Sequence, residues 1–320
     1  MGALRHCATA ALLIVGAIWG TLGRLGLVAL NTYDGQSIEP TIWAQAVGCL
    51  VMGWVTHPKN KATIEEWYQP AFTMLGTGFC GCLTTYSSWV FRVFQAFSNE
   101  LHYNRHGLHN VMDALTQTGA TLGMALAAIW AGRSLAEIIV IPKLLRPAPA
   151  TISDCISIII GVLFWAGAAI LCGLHAPFRR ETFALVLAPP GALLRWYLSR
   201  LNPAGGTFWL KRLPYGTLLA NVAAVAVLCA AHTAQYVGRT SGPGSLGAWS
   251  FNSCAALYGL MQGFSGSLST VSTFAVELTT LRPLRVAFAY AFASWTLGVV
   301  ISILLVGAPW WAVGMQGGCK

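Results

Sequence analysis

The chain has 320 residues, of which 56% are hydrophobic and only 9% carry a formal charge. Soluble domains carry roughly 25% charged residues, so the composition excludes an ordinary water-soluble globule, and the many aromatic residues exclude a disordered chain. The net charge of +9 does not indicate nucleic-acid binding, because the basic residues lie in short segments between apolar stretches. Most of the chain is therefore expected to contact the lipid bilayer.

Long apolar stretches predict an all-α polytopic membrane protein. A helix needs about 20 mainly apolar residues to cross a bilayer, and on this basis the chain is expected to contain nine spans. The third and eighth are long and contain a glycine-rich interruption, so each is expected to be two half-helices broken inside the membrane. The predicted spans are 8–30, 41–56, 71–98, 110–131, 152–174, 183–199, 215–232, 247–277 and 284–305.

Basic residues in the predicted loops indicate the orientation of the chain. Loops on the side of the N-terminus contain eleven Lys and Arg residues, and loops on the opposite side contain six. Cytoplasmic loops are enriched in positive charge, so the N-terminus is expected in the cytoplasm. After an odd number of spans, the C-terminus is expected outside the cell.

Small residues within the spans suggest packing roles rather than chemistry. The nine Cys residues are scattered singly and show no disulfide framework. Two G-x-x-x-G pairs, Gly16 with Gly20 and Gly119 with Gly123, predict close helix packing. Six cysteines are expected to be small side chains buried by lipid, namely Cys7, Cys49, Cys155, Cys172, Cys229 and Cys254.

An internal repeat is the most informative feature of the chain. Three sequence blocks recur in the same order, at separations of 171, 176 and 185 residues. In the third pair, GFCGCLTTYSSW and GFSGSLSTVSTF agree at six of twelve positions. The paired blocks are Gly20–Leu27 with Gly191–Leu198, Thr41–Gly48 with Thr217–Ala224, and Gly78–Trp89 with Gly263–Phe274.

The repeat divides the chain into two units of four spans. Residues 1–135 are predicted to form the first channel-like unit, 136–180 a linker with the fifth span, and 181–320 the second unit. Four spans return the chain to its starting side, so one linking span makes the second unit enter from the opposite face. The units are therefore expected to form an inverted repeat, with functional sites near the midplane between them.

Two arginines fall within predicted spans at equivalent positions of the repeat, Arg24 and Arg195. A charged side chain is costly in hydrocarbon, so each is expected to face protein or water. Each could attract an anion or bind carbonyl groups at a helix end. We favour the second, structural role.

The glycine-rich blocks allow helices to break and leave carbonyl groups without helical partners. Two such breaks meeting at a two-fold axis could present four carbonyl oxygens to one monovalent cation such as Na⁺. Close helix packing by glycine is the alternative explanation.

Hydroxyl and aromatic side chains follow each predicted break. Neutral donors of this kind can bind an anion without a fixed charge that would trap it, and aromatic rings add a positively polarised edge. For any single Ser or Thr, a hydrogen bond to its own helix is the alternative. The two sets are Thr85, Tyr86, Ser87, Ser88 and Trp89 in the first unit, and Thr270, Val271, Ser272, Thr273 and Phe274 in the second.

On these blocks the chain resembles the fluoride channel family, called Fluc or CrcB in bacteria, and its eukaryotic fused two-domain exporters. The resemblance covers nearly the whole chain and implies a passive fluoride channel rather than an enzyme. It further implies a central structural Na⁺, held by backbone carbonyls of Gly81, Thr84, Gly266 and Ser269, and assigns Arg24 to the family's buried arginine, with Arg195 as its repeat equivalent.

The resemblance also implies pore residues and an asymmetry between the two halves. The family's pore asparagine corresponds to Asn221 in the second unit and to Gln45 in the first, and its aromatic positions correspond to Tyr86 and Trp89, and to Val271 and Phe274. One working pore is therefore expected beside a degenerate one. The working pore is assigned Asn221, Phe274, Ser272, Thr273, Tyr86, Tyr290 and Ser294. The degenerate pore is assigned Gln45, Trp89, Val271, Ser87 and Ser88.

The function implied is export of fluoride across the plasma membrane by a single-chain monomer embedded in the bilayer. A secondary transporter coupled to H⁺ or Na⁺ is the alternative, since inverted repeats and broken helices occur there too. Arg92 and Glu277 are equivalent in the repeat and opposite in charge. They either pair across the two-fold axis or lie at separate vestibules.

Overall fold

The computed structural model describes residues 2–34, 38–142, 150–202, 213–236, 250–315 and 319. Within these ranges the regular elements are all helical. The helices are α1 (Ala3–Leu30), α2 (Ile42–Thr56), α3 (Pro58–Thr73), α4 (Tyr86–Ser98), α5 (Gly107–Ile138), α6 (Ala150–Leu174), α7 (Arg179–Leu198), α8 (Tyr215–Ala234), α9 (Phe251–Tyr258), α10 (Val271–Thr280) and α11 (Leu284–Ser302).

Two helices continue through widened turns and then break at equivalent positions of the repeat. Helix α3 extends through a π-helical segment, Met74–Cys80, and a last turn, Gly81–Leu83. Helix α9 likewise extends through Gly259–Ser265 and Gly266–Leu268. After each, two residues adopt extended backbone angles before the next helix begins. The glycine-rich blocks are thus followed by breaks between α3 and α4 and between α9 and α10.

Four described helices are long and apolar enough to cross a membrane, judged by length and composition. The other predicted spans coincide with helices that are shorter, broken or less apolar, so the count of nine spans stays a prediction. The third predicted span starts just after a kink at Tyr68, where the backbone of the segment Pro58–Thr73 leaves helical geometry. Residues 247–249 of the eighth lie outside the described residues. The four long apolar helices are Ala3–Leu30, Ala150–Leu174, Tyr215–Ala234 and Leu284–Val313.

Glycine allows α1 and α7 to pack directly on the extended ends of α3 and α9. A Cβ atom added to Gly20 would lie 2.4 Å from the carbonyl oxygen of Phe79, and one added to Gly191 would lie 2.3 Å from that of Phe264. Gly16 contacts the same segment of the first unit, so the packing predicted for Gly16 and Gly20 is confirmed. A side chain at any of these positions would force the backbones apart.

The predicted packing of Gly119 and Gly123 is wrong. A Cβ atom at either position would meet no atom within 4 Å, because both glycines lie on an exposed face of α5. Glycine spacing alone does not determine which face of a helix is covered.

The prediction for Cys254 is also wrong. Its sulfur forms a disulfide with Cys319, 65 residues further along the chain. The Cα atoms of the two residues lie 5.4 Å apart, well within the range that a disulfide spans. Their pairing depends on the fold, which brings the start of α9 to the C-terminal end of the chain.

Candidate functional site

The two helix breaks are each held by an amide side chain from a neighbouring helix. In the first unit, Gln45 Oε1 accepts the Thr85 amide at 3.1 Å, and Gln45 Nε2 donates to the Thr85 carbonyl at 2.7 Å. In the second unit, Asn221 Oδ1 accepts the Thr270 amide at 2.9 Å, and Asn221 Nδ2 lies 3.4 Å from the Thr270 carbonyl. These side chains satisfy buried backbone groups that the broken helix leaves unpaired.

The same bonds free two carbonyl groups. In an uninterrupted helix, the Thr85 amide would bond to the Gly81 carbonyl and the Thr270 amide to that of Gly266. Both amides instead bond to side chains, Gln45 and Asn221 respectively. Carbonyl oxygens of Gly81 and Gly266 are therefore available to another partner.

A hydroxyl from each unit caps the half-helix of the other unit. Thr84 Oγ1 accepts the amides that begin α10, from Val271 at 3.2 Å and Ser272 at 3.1 Å. Ser269 Oγ reciprocally accepts the amides that begin α4, both at 3.1 Å, from Tyr86 and Ser87. Unpaired amides at a helix start are usually capped by the residue just before it in the same chain segment. Here the caps are exchanged between the two units.

The buried arginines bind carbonyl groups across the same boundary. Arg195 Nη2 donates to the Thr77 carbonyl of the first unit at 2.7 Å, and Arg24 Nη2 donates to the Gln262 carbonyl of the second. Both arginine side chains are almost fully buried. These acceptors lie in the π-helical segments, so each unit supplies a cation to the extended helix end of the other.

Aromatic rings from both units form a continuous row beside the breaks. The rings of Tyr86 and Phe274 meet edge to face at 5.5 Å, and those of Phe274 and Tyr290 lie 5.2 Å apart. On its other side Tyr86 contacts Trp89 at 5.2 Å, with the ring planes perpendicular. All four side chains are buried.

Two buried hydroxyl groups along this row have no hydrogen-bond partner among the described residues, Tyr86 Oη and Ser294 Oγ. Burying a hydroxyl group without a hydrogen-bond partner destabilises a protein by roughly 1–3 kcal/mol. Ser294 lies one turn along α11 from Tyr290, whose ring belongs to the row. Tyr86 of the first unit and Ser294 of the second therefore each carry an unused hydroxyl donor along the row of rings.

The hydroxyls of Ser272 and Thr273 lie at the start of α10. Ser272 Oγ is buried and within 3.2 Å of the hydroxyls of Thr84 and Thr270. Thr273 is partly exposed, and its amide is 3.4 Å from Thr270 Oγ1. Their position next to Phe274 brings them near the row of rings.

The equivalent side chains of the first unit are engaged differently. Trp89 is 1% exposed, and its indole nitrogen donates to the Gln117 carbonyl of α5 at 3.2 Å. Ser87 Oγ bonds to Ser269 and Ser265 hydroxyls, whereas Ser88 is partly exposed. Gln45 and Val271 are fully buried. In the first unit, the side chain that packs against α5 is therefore the indole ring of Trp89.

Glu277 forms a partly buried hydrogen-bond network at the far end of α10 from the break. Its carboxylate accepts hydrogen bonds from Thr217 Oγ1 at 2.6 Å and Tyr290 Oη at 2.8 Å. Arg92, at the equivalent position, donates to Gln95 Oε1 at 3.1 Å. The described residues show no ion pair between Arg92 and Glu277.

Sequence reasoning missed the caps and the network around Glu277. Thr84 and Ser269 were assigned only through their carbonyl groups, although their side chains carry the bonds between units. Their equivalent positions in the repeat, both hydroxylated and directly before a helix start, were the signal for a capping role. Glu277 lies one helix turn beyond Phe274, which places a carboxylate beside the row of rings.

These features define an all-helical membrane protein made of two like units that complete each other's broken helices. A family model described as CrcB-like protein, Camphor Resistance (CrcB), matches residues 11–133 and 182–308. The chain belongs to this family. The two matched regions correspond to the two halves of the repeat.

Named relatives match either most of the chain or a shorter part of it. Fluoride export protein 1 of Candida albicans is 32% identical over 325 residues, spanning 95% of this chain and 80% of that protein. The protein of the same name from Neurospora crassa is 30% identical over 368 residues, spanning 96% and 67%. Fluoride-specific ion channel FluC 1 of Streptomyces avermitilis is 30% identical over 126 residues, covering 39% of this chain and 95% of its own length. No solved structure matches the chain.

Proposed function

We propose that the protein is a passive fluoride channel that exports F⁻ from the cytoplasm through one working path. The path runs along the row of rings formed by Tyr86, Phe274 and Tyr290. The observation that carries this proposal is the pair of unpartnered hydroxyls, Tyr86 Oη and Ser294 Oγ, beside those rings. The names of the relatives, fluoride export protein and fluoride-specific ion channel, support fluoride as the ion.

Neutral donors account for selectivity. A dehydrated F⁻ needs closely spaced hydrogen-bond donors in place of its water shell, and hydroxyls provide them without a cation that would hold the ion. Asn221, Ser272 and Thr273 add donors near the break, and Phe274 adds a ring edge. A larger halide would gain weaker contacts in the same space.

No energy source is required in this mechanism. With a cell interior at negative potential, outward movement of an anion gains about 2.3 kcal/mol per charge for each 100 mV. A bound coupling ion is unnecessary, and no catalytic chemistry is involved.

The second path, around Gln45, Trp89, Val271, Ser87 and Ser88, is proposed to be degenerate. Trp89 fills the place where the second unit has Phe274, and its indole nitrogen is already bonded to Gln117. Leu115 and Gly119 stand where the second unit has Tyr290 and Ser294. This side therefore lacks hydroxyl groups at the positions of Tyr290 and Ser294.

A structural Na⁺ is proposed between the two breaks. The donor set fits a hard monovalent cation, because the Gly81 and Gly266 carbonyls have lost their helical partners. Thr84 and Ser269, the first extended residues of each break, would supply the other two carbonyls. The ion would hold the units together, and a single chain contains the whole arrangement, so we propose a functional monomer.

Fluoride efflux from liposomes tests the proposal. With a K⁺ gradient and a K⁺ ionophore to relieve voltage, the purified protein is expected to release fluoride and retain chloride. The release should be unchanged when a pH or Na⁺ gradient is imposed at a fixed fluoride gradient. Flux that follows either gradient would indicate the alternative, a secondary transporter.

The proposed orientation, with the N-terminus in the cytoplasm of a plasma-membrane protein, is supported by the disulfide. Cys254 and Cys319 both lie on the predicted outer side, where the environment is oxidising. In intact cells, an impermeant reductant is expected to expose both thiols to a maleimide, whereas exposed Cys7, near the N-terminus, should need a permeant reagent. Labelling of Cys7 by an impermeant maleimide would contradict the proposed orientation, because it would place the N-terminus outside the cell.

A further inference from the structure

A cavity of about 280 Å³ lies in the first unit at the position that corresponds to Glu277 of the second. It is distinct from the row of rings and serves no step of the proposed fluoride path. The proposed orientation places it on the outer face of the membrane. Its polar lining consists of Glu39, Arg92, Gln95, Arg105, Asp113 and Gln117.

One pair of charges in this cavity is neutralised internally. Arg105 Nη1 and Asp113 Oδ2 form an ion pair at 2.7 Å. The other oxygen of Asp113 accepts the Gln117 side-chain amide at 3.0 Å. Asp113 is therefore already engaged with Arg105 and Gln117 and makes no ion pair with Arg92.

Arg92 is left with unused donors. Its guanidinium donates to the Gln95 side chain at 3.1 Å, and it takes part in no ion pair among the described residues. A guanidinium carries several N–H donors in a planar fork that matches two oxygens of one anion. Arg92 lines the cavity, so its remaining donors are available to a ligand there.

Glu39 is a second acidic side chain in the lining of the cavity. The residue is 6% exposed, and its carboxyl group accepts the Thr41 hydroxyl at 2.5 Å. Burial raises the pKa of Glu39 above its ordinary value, although the hydrogen bond from Thr41 and the charge of Arg92 act in the opposite direction. Glu39 therefore gains a proton more readily than an exposed glutamate.

Comparison of Arg92 with its repeat equivalent Glu277 also favours an anion ligand in the first unit. In the second unit a carboxylate receives its donors from the protein, through Thr217 and Tyr290 of the network described above. In the first unit the equivalent residue is a guanidinium beside a cavity, and Leu115 replaces Tyr290. The missing partner at this position is an anion with oxygen acceptors.

We propose that this outer cavity binds an oxyanion of the phosphate or sulfate class, with Arg92 as its principal ligand. The volume far exceeds that of a halide ion, and a planar guanidinium pairs with two oxygens at once. Leu101 and Tyr103 border the cavity and are exposed, so the oxyanion could be free or carried by a lipid headgroup.

Calorimetric titration of the detergent-purified protein with sodium sulfate, at constant ionic strength, tests the site. We expect the Arg92→Gln variant to bind sulfate at least tenfold more weakly than the wild type. The charge-matched control Arg285→Gln, an exposed residue at the start of α11, should bind like the wild type. Absence of sulfate binding to the wild type, or equal affinity in Arg92→Gln, would overturn the proposal.

A pH series tests the part assigned to Glu39. Sulfate keeps its charge between about pH 5 and pH 7.5, so its affinity should rise as the pH falls and Glu39 takes up a proton. The Glu39→Gln variant should bind sulfate tightly at both ends of this pH range. Arg92, Arg105 and Asp113 also line the cavity, and Glu100 is linked to Arg92 through the Gln95 side chain. Equal wild-type affinity at both pH values would contradict the assignment.

Two further measurements do not depend on the variants folding. A structure obtained with selenate should show anomalous density beside Arg92, and density only elsewhere would refute the site. In nanodiscs of neutral lipid, sulfate should bind as it does in detergent. Loss of that binding on adding phosphatidic acid identifies a headgroup as the occupant, and persistence identifies the free oxyanion; either result supports the shared chemistry.

Discussion

Replacement of Asn221 by alanine is expected to lower fluoride efflux roughly 100-fold, a change that corresponds to about 2.7 kcal/mol in the barrier. The substitution removes an amide donor next to the proposed path. It also leaves the buried Thr270 amide without its acceptor, at a cost of roughly 1–3 kcal/mol. The measurement is the liposome assay described above, with chloride as the comparison ion.

Gln45→Ala is the matched control for this experiment. Gln45 holds Thr85 by the same two bonds with which Asn221 holds Thr270, so both variants lose an equivalent backbone contact. The amides that begin α4 keep their cap from Ser269 in this variant. Efflux should therefore stay within about threefold of wild type, a small difference on the scale of the barrier. Equal loss in both variants would contradict a single working path.

Replacement of Gly266 by alanine is expected to destabilise the fold strongly. The added Cβ would lie 1.9 Å from Arg24 Nη1, and Gly81 has the same relation to Arg195. The guanidinium cannot move away freely, because it is buried and bonded to the Gln262 carbonyl. We expect a loss of roughly 3 kcal/mol, at the upper end for overpacking.

The free energy is read from thermal unfolding in detergent, where we expect a melting temperature lower by roughly 5–10 °C. Gly119→Ala is the control, since its Cβ would meet no atom within 4 Å. That change should be neutral or slightly stabilising, by about 0.5–1 kcal/mol, because alanine favours a helix. If both variants melt with the wild type, Arg24 is not held as tightly as the structure indicates.

Hydropathy and the internal repeat were sufficient to predict an all-helical membrane protein with two like regions. Helix breaks next to the glycine-rich blocks also follow from the sequence, because glycine permits them and consecutive hydroxylated residues offer caps. Contacts between the halves do not follow from it. Thr84 and Ser272 are 188 residues apart, and only folding determines that the hydroxyl of one meets the amide of the other.

The wrong predictions for Cys254, Gly119 and Gly123 also arise because the sequence does not show which segments become neighbours in the fold. Cys254 looks like an isolated lipid-facing residue until the C-terminal end of the chain is placed beside it. Gly119 and Gly123 have the spacing of a packed pair, but the helix that carries them turns this face outward. Local spacing specifies a helix face and leaves its neighbour unspecified.

The exchange of caps has a consequence for how the two halves can change over evolutionary time. A half expressed alone would leave the first two amides of α4 or α10 without their cross-unit acceptor, so each half depends on its counterpart for a complete fold. Joining both in one polypeptide fixes their ratio at one to one. The exchanged bonds require only a hydroxyl, an amide or a carbonyl. Equivalent positions outside these bonds can therefore carry different residues in the two halves. Tryptophan at 89 opposite phenylalanine at 274, and arginine at 92 opposite glutamate at 277, are the substitutions that such a fusion permits.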